Sequence, residues 1–500
     1  MVYDVIIIGA GVGGLFSALE LAVKGKKVLL LERQPVPGGV VTGFKRKGFT
    51  FEASAHIVDA LAQEGEVRQI LDDAGVSQKI NFIPMQEFGR VIYPEHNLLI
   101  KADLDNLKSL LKEKFPHEQA GIDIFFRQIA SFYRQFDSFS NWPLPIWLKL
   151  GLSPVLFPAI IKTSCVTLEQ FITKKIKDKK LRALICTIWA FIGQPPSQLS
   201  AFYFLIVLRG CWLEKTAYVQ GGFSQIFKAM VERIRESGSE VKFNTTVAKI
   251  ITQGKTVKGV VTDKGEEYLA KAVISNANAI DTLTKYIDQV ALRKEYSAKL
   301  AQMEKSISAV TVYLGLDVSA KTLGLDCPLM SINESYDHDE NFQRSLVGDY
   351  HKCNLALIDH SQLDPGLAPG GKSAISIMTL DSYANWQGLS PEEYKKKKQQ
   401  VGQIIVSRLD KYIPGISSHV EVLEVGTPLT MERFALLPEG AVYGYSQTIA
   451  QSSINRLSQD TAIKGFFLAG AWTKPGCGVH GCVVSGKDAA GLALKFLKHK

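Results

Sequence analysis

Residues 5–16, VIIIGAGVGGLF, decide the fold. Residues 3–8 form a β-branched apolar run, the pattern of a parallel strand buried on both faces. Gly9, Gly11 and Gly14 follow with G-x-G-x-x-G spacing, and Gly13 lies within it. A glycine at 9 lets the chain turn sharply. One at 11 leaves room for a pyrophosphate against the backbone, and one at 14 lets the next helix pack close to the strand. The spacing predicts that helix over residues 16–23 and a second strand over 28–31, ending at Glu32. Free N–H groups at the helix start favour phosphate, and an acid about twenty residues downstream accepts hydrogen bonds from ribose hydroxyls. A glycine-rich turn without a ligand is the plain alternative, but strand, turn, helix, second strand and acid all occur in order. The carboxylate at 32 repels a 2′-phosphate, so NADP is the poorer fit.

The next residues separate the dinucleotides. Residues 32–39, ERQPVPGG, resemble the extended FAD signature of the amine-oxidase and phytoene-desaturase superfamily. The resemblance implies FAD as cofactor, with Arg33, Gly38 and Gly39 in its site. On turn statistics alone the diglycine is an ordinary turn.

Two later segments return to this unit. Gly221 and Gly222 open a helix predicted over 223–235, followed by strands over 241–251, 257–261, 267–270 and 272–277. Residues 465–470 read as a strand running into a loop, and 482–496 as a helix that aims its positive N-terminal end at the cofactor. The fold class is therefore α/β: a discontinuous Rossmann-type FAD-binding domain (1–60, 215–285 and 455–500) with a mixed α+β substrate domain (61–214 and 286–454). No second G-x-G-x-x-G occurs, so no dedicated NAD(P) domain is expected. Within the substrate domain, residues 141–214 form an apolar helical lid or membrane-contacting part. They begin with NWPLPIWLKLGLSPVLFPAII, whose only charge is Lys149. Pro143, Pro145, Pro154 and Pro158 argue against a continuous transmembrane helix. Two readings remain open, an interfacial patch or the lining of a buried tunnel. Lys174, Lys175, Lys177, Lys179 and Lys180 follow, suiting contact with an anionic membrane or forming a solvated face. Lys395 to Lys398 read as a solvated helix face.

The 500 residues exceed one core and suggest two or three domains. Hydrophobic residues make up 46% and charged ones 21%, which excludes a disordered chain. The net charge of +9 favours anionic partners, but zinc-finger and RNA-binding patterns are missing, so neither a nucleic-acid partner nor a metal is expected. The seven cysteines are odd in number and unpaired in spacing, as in a reducing compartment. No basic region precedes the first apolar run. The expected location is cytoplasmic, peripheral on the inner membrane face.

Beyond 32–58, further matches lie at GQPPSQLSAFYFLIVLRG (193–210), YVQGGFSQI (218–226), GTPLTMERFALLPEGAVYGY (426–445) and FFLAGAWTKPGCGVHGCVVSGKDAAG (466–491). With these the chain resembles the phytoene-desaturase-like flavoproteins: carotenoid desaturases, carotenoid cis–trans isomerases and retinol saturases. The resemblance implies an apolar isoprenoid polyene as substrate, hydride transfer at flavin N5, and a diffusible electron acceptor or donor. Desaturation, saturation and redox-neutral isomerisation all use these parts. It also implies cofactor contacts at Val247, Gly470, Ala471, Gly478, Val479 and His480. The chain departs from the pattern at Glu52, where the family usually has Asp, at Ala471, which replaces an acid, and at Cys477 and His480.

Catalytic candidates are His480 beside the flavin, Glu432 and Arg433 in a substrate-side motif, and Tyr443 on the tunnel wall. Each has a bland counterpart: a loop histidine, a structural ion pair, a core tyrosine. His56 is read as either facing the flavin pocket or capping a strand. Two competing functions are an FAD-dependent amine or amino-acid oxidase and a non-catalytic prenyl-lipid escort protein.

Overall fold

The computed structural model describes residues 2–499 except 143, 145 and 288. Pro143 and Pro145, two of the four prolines invoked above, lie outside the described residues.

The strand Val2–Ile8 occupies the middle of a seven-stranded sheet. It pairs in parallel with Val28–Leu31 on one side and Glu267–Ser275 on the other. Glu240–Lys242 adds to the outer side of Val28–Leu31, and Phe466–Leu468 pairs in parallel with Glu267–Ser275. Two antiparallel strands, Thr256–Thr262 and Val247–Gln253, complete it. Three stretches of chain hundreds of residues apart thus share one sheet. Alternation along the first strand divides its side chains between two cores. Val5 and Ile7 face the helices Val12–Val23, Ser224–Glu236 and Gly478–Lys498. Ile6 and Ile8 face the meander, Tyr445 and Trp472.

Small residues let the first and last helices meet. The Ser17 hydroxyl lies 2.8 Å from both the Gly13 and Gly486 carbonyls. A Cβ on Gly486 would stand 2.4 Å from the Gly13 carbonyl oxygen. Four expected boundaries need correction: the strand expected over 241–251 is two strands, Glu240–Lys242 and Val247–Gln253, at opposite edges of the sheet. The first helix starts at Val12 rather than 16, and the last at Gly478 rather than 482. Gly13 and Gly14 discourage helix by propensity but are helical here because a Cβ on either would meet backbone at 2.0–2.8 Å. The segments 267–270 and 272–277 form one strand, Glu267–Ser275, with Lys271 at an exposed position paired to Asp4.

A second seven-stranded sheet runs Val420–Gly426, Ser308–Leu316, Ser373–Asp381, Leu355–Asp359, Leu329–Ile332, Glu87–Tyr93, His96–Lys101. Its neighbours are antiparallel except Leu329–Ile332 against Glu87–Tyr93. Beside it lies a helical part whose core holds Phe125, Phe132, Trp189 and Phe204. The apolar stretch makes two short helices here, Ile146–Leu156, with Pro154 inside it, and Pro158–Ser164. Leu152, Val155 and Leu156 are exposed, Val155 at 80%. Among the described residues no helix is long and apolar enough to cross a membrane. The lysine run is not one solvated face: Lys175 lies 3.5 Å from the centre of the Phe171 ring, and Lys180 pairs with Glu95.

Gly14→Ala tests the packing at the fingerprint. Helix propensity favours alanine by about 1 kcal/mol, but the new Cβ would lie 2.0 Å from the Gly9 carbonyl oxygen. The clash outweighs the gain, and we expect a net loss of about 2 kcal/mol. Thermal unfolding reads it; an unchanged or higher Tm contradicts this packing.

Candidate active site

A cavity of about 1160 Å³ begins at the fingerprint and continues into the helical part. Gly9, Gly11, Gly13, Glu32 and Arg33 line its first arm, with Gly38 and Gly39 beside them. Gly38 takes φ +114° and Gly39 φ +61°, and the Gly38 amide donates to the Ala10 carbonyl at 2.8 Å. The diglycine thus lies against the glycine turn; a Cβ on Gly39 would meet Gly11 Cα at 3.2 Å. Val247 also lines the cavity, at the start of its strand.

Glu32 is buried, and its carboxylate accepts from the Ala10 amide at 2.6 Å and the Gln34 amide at 2.7 Å. Burial raises its pKa, and those amides oppose the rise. Charge-assisted bonds of this kind contribute about 1.5–3 kcal/mol each. They fix the acid at the end of its strand. The Arg33 guanidinium donates to the carbonyls of Phe434 at 2.6 Å and Arg433 at 3.3 Å, closing this end against the helix Pro428–Ala435.

Ala471, Gly478, Val479 and His480 line the cavity, with the last three in the first turn of the C-terminal helix. No side chain caps that helix, so its positive end favours negative charge in the cavity. Gly14 and Gly470 do not line the cavity but pack behind it. Gly470 explains itself through Asn276, a residue the sequence reading did not single out. The Asn276 side chain fills the space that a Cβ would need on Gly11, Gly13 or Gly470, at 2.5–2.6 Å in each case. A polar residue directly after an apolar strand was its one visible signal. Arg456 was missed too. It is buried and donates to the carbonyls of Thr473 (3.0 Å), Tyr445 (3.1 Å), Tyr443 (3.3 Å) and Ala471, so it holds the loop that leads to the last helix. Nothing in its local sequence announces this.

The catalytic candidates separate. Glu432 and Arg433 do not line the cavity. Glu432 accepts from the Tyr383 hydroxyl at 2.7 Å, and the exposed Arg433 lies over the Phe434 ring. This corrects both roles, and among the described residues neither side chain forms the ion pair of their alternative reading. Adjacent residues on a helix point in different directions. Tyr443 lines the cavity, but its hydroxyl donates to the Ala190 carbonyl at 3.0 Å, and burial raises its pKa. It shapes the wall. His480 is not in a loop, as expected above, but in a helix. Its ring nitrogens lie 3.1 Å from Glu66 and 3.6 Å from Asp59. Burial alone would lower its pKa, but the two carboxylates outweigh it and raise the value to about 10. His480 is an imidazolium at neutral pH. His56 lines the cavity and caps no strand, since both its ring nitrogens are without a partner.

A family model described as flavin containing amine oxidoreductase matches residues 12–494. Chloroplastic prolycopene isomerase of Daucus carota is 30% identical, over 99% of this chain and 81% of the relative. Phytoene desaturase (lycopene-forming) of Pantoea ananas is 26% identical, over 98% and 99%. A solved oxidoreductase from Methanosarcina mazei shares the fold with a TM-score of 0.67 at 18% identity, covering 98% of this chain and 100% of that one. The cofactor is FAD, and the first arm fits it. A buried acid stands at the strand end, a glycine surface lies beside it, and an uncapped helix start faces the cavity.

The His480 cluster carries a pH signature. Its pKa is about 10 folded against 6.5 for a free imidazole. Its contribution to stability is complete below pH 6.5 and is lost as pH rises to about 10. The difference in Tm between wild type and His480→Gln should therefore shrink across that window. A difference that is constant with pH contradicts the ion cluster.

Proposed function

We propose, from the premise that this chain belongs to the flavin-containing amine oxidoreductase family, that it is an FAD-dependent enzyme acting on an apolar isoprenoid polyene. The observation that carries this reading is the continuity of the cavity. The arm that starts at the glycine cradle continues past Ile188, Phe191, Ile192, Phe202, Ile206 and Val207. A wall of this kind suits a long hydrocarbon. FAD, when bound, supplies the acceptor or donor of hydride. The chain's own residues do the rest. Glu32 offers its carboxylate to the ribose, and the first turn of the last helix presents partial positive charge. The imidazolium of His480 is tied to Glu66 and Asp59, so its charge is offset within that cluster and it fixes the turn in place. The apolar arm keeps water from the reacting carbons.

Among the net outcomes, redox-neutral cis–trans isomerisation comes first, because identity is higher to the prolycopene isomerase than to the desaturase, 30% against 26%. A net oxidation or reduction would need a diffusible electron acceptor or donor. We also place the protein peripherally on an anionic membrane, at the inner face. The exposed Leu152, Val155 and Leu156 support this. So does the cavity wall at Phe136, Ser140 and Asn141, on the helix that leads in sequence to that apolar surface.

Anaerobic incubation tests the reading. Holoenzyme carrying reduced flavin should shift the absorbance of poly-cis lycopene toward the trans form, while putrescine leaves the oxidised flavin unbleached. An amine that bleaches the flavin, with no polyene altered, overturns it.

A further inference from the structure

His56 is a polar side chain with nothing to bond in an apolar wall. It is 4% exposed and lines the cavity, and neither ring nitrogen has a hydrogen-bond partner. It follows the short strand Phe49–Glu52, so the fold fixes its backbone. Its ring meets the edge of Phe191 at 6.4 Å between centroids. Phe191 belongs to the helical part that supplies the apolar arm, not to the glycine cradle. On its other side lies His360 at 6.4 Å, which in turn packs on Tyr218 at 5.2 Å. Burial, with His360 adding to it, holds the His56 pKa down near 3. The ring is therefore neutral at neutral pH, with one N–H donor and one bare nitrogen acceptor. Buried polar groups without partners are rare and costly, and one aimed into a ligand cavity points to the ligand.

A pure hydrocarbon offers neither donor nor acceptor. We propose that His56 anchors an oxygen function on the substrate, so that the preferred polyene is an oxygenated isoprenoid carrying a hydroxyl or carbonyl group. This rests on the polyene reading above and narrows it. An alcohol or carbonyl oxygen satisfies a nitrogen of His56 where the hydrocarbon leaves both bare. Discrimination of this kind reaches at least about tenfold for one such bond. The two nitrogens also allow the ring to serve either group, as acceptor for an alcohol or donor to a carbonyl.

The test compares an acyclic hydrocarbon carotene with its terminally hydroxylated derivative, using FAD-loaded protein and equilibrium binding read from the flavin absorbance. We expect the hydroxylated polyene to bind at least about tenfold more tightly. His56→Leu should bring the ratio close to one by weakening the alcohol alone, and His56→Gln, which keeps a donor and an acceptor, should restore part of it. Unchanged flavin content in His56→Gln controls for folding if His56→Leu fails to accumulate. A wild-type ratio near one overturns the assignment, as does equal weakening of both ligands. A shifted flavin spectrum in His56→Leu with an unchanged ratio also overturns it, placing the histidine with the cofactor. If the hydrocarbon is bound and converted but the ratio is one, only the role of His56 fails. If neither polyene binds, the polyene reading itself fails.

Discussion

Three strands and two helices converge on a point where one side chain, that of Asn276, fits and no other does. Gly9, Gly11, Gly13 and Gly14 meet Gly470, Gly486 and the Asn276 side chain at distances that a single Cβ would close to 2.0–2.9 Å at several of these positions. Everything else in the nucleotide half follows from this contact. The first helix can lie on its strand only if Gly14 is bare. The last helix can lie on the first only if Gly486 is bare. Asn276 can enter between the segments only if Gly11, Gly13 and Gly470 leave room. Because the sheet draws on chain from both ends and the middle, this close approach holds three distant segments in one unit.

That constraint explains what was legible in the sequence and what was not. The fingerprint glycines, Glu32 and the diglycine were legible because their spacing is local and each answers a local demand, a turn, a close approach or a ribose-binding acid. The strands near the fingerprint were legible because their alternation or uniform apolarity follows from burial. The start of the first helix was misplaced because glycine argues against helix by propensity, while packing requires Gly13 and Gly14 to be bare. Asn276 and Arg456 were invisible because their partners are fixed by topology rather than by spacing. Arg456 binds carbonyls of two loops, and Asn276 meets glycines more than 190 positions away at both ends of the chain. The roles given to Glu432 and Arg433 failed for the opposite reason. A motif names a stretch, but only the helical register shows which of its residues face the cavity.

The two histidines of the cavity have opposite electrostatic settings on one fold. His480, between Glu66 and Asp59, holds its proton to about pH 10, while His56, buried among apolar walls beside a second histidine, loses its proton near pH 3. One is an imidazolium tied to two carboxylates at the helix start, and the other is a neutral hydrogen-bonding group in the arm. The first braces the helix start, and the second suits a neutral ligand. A cavity polar at one end and apolar at the other thus carries its division of labour in the ionisation of its residues.

The most direct test of the central claim is a crystal structure of the holoenzyme with a poly-cis carotenoid bound. The account predicts the adenosine ribose of FAD on Glu32 and the polyene threaded through the arm between Phe191 and Tyr443. Polyene density confined to the protein surface, or an FAD ribose away from Glu32, would contradict it.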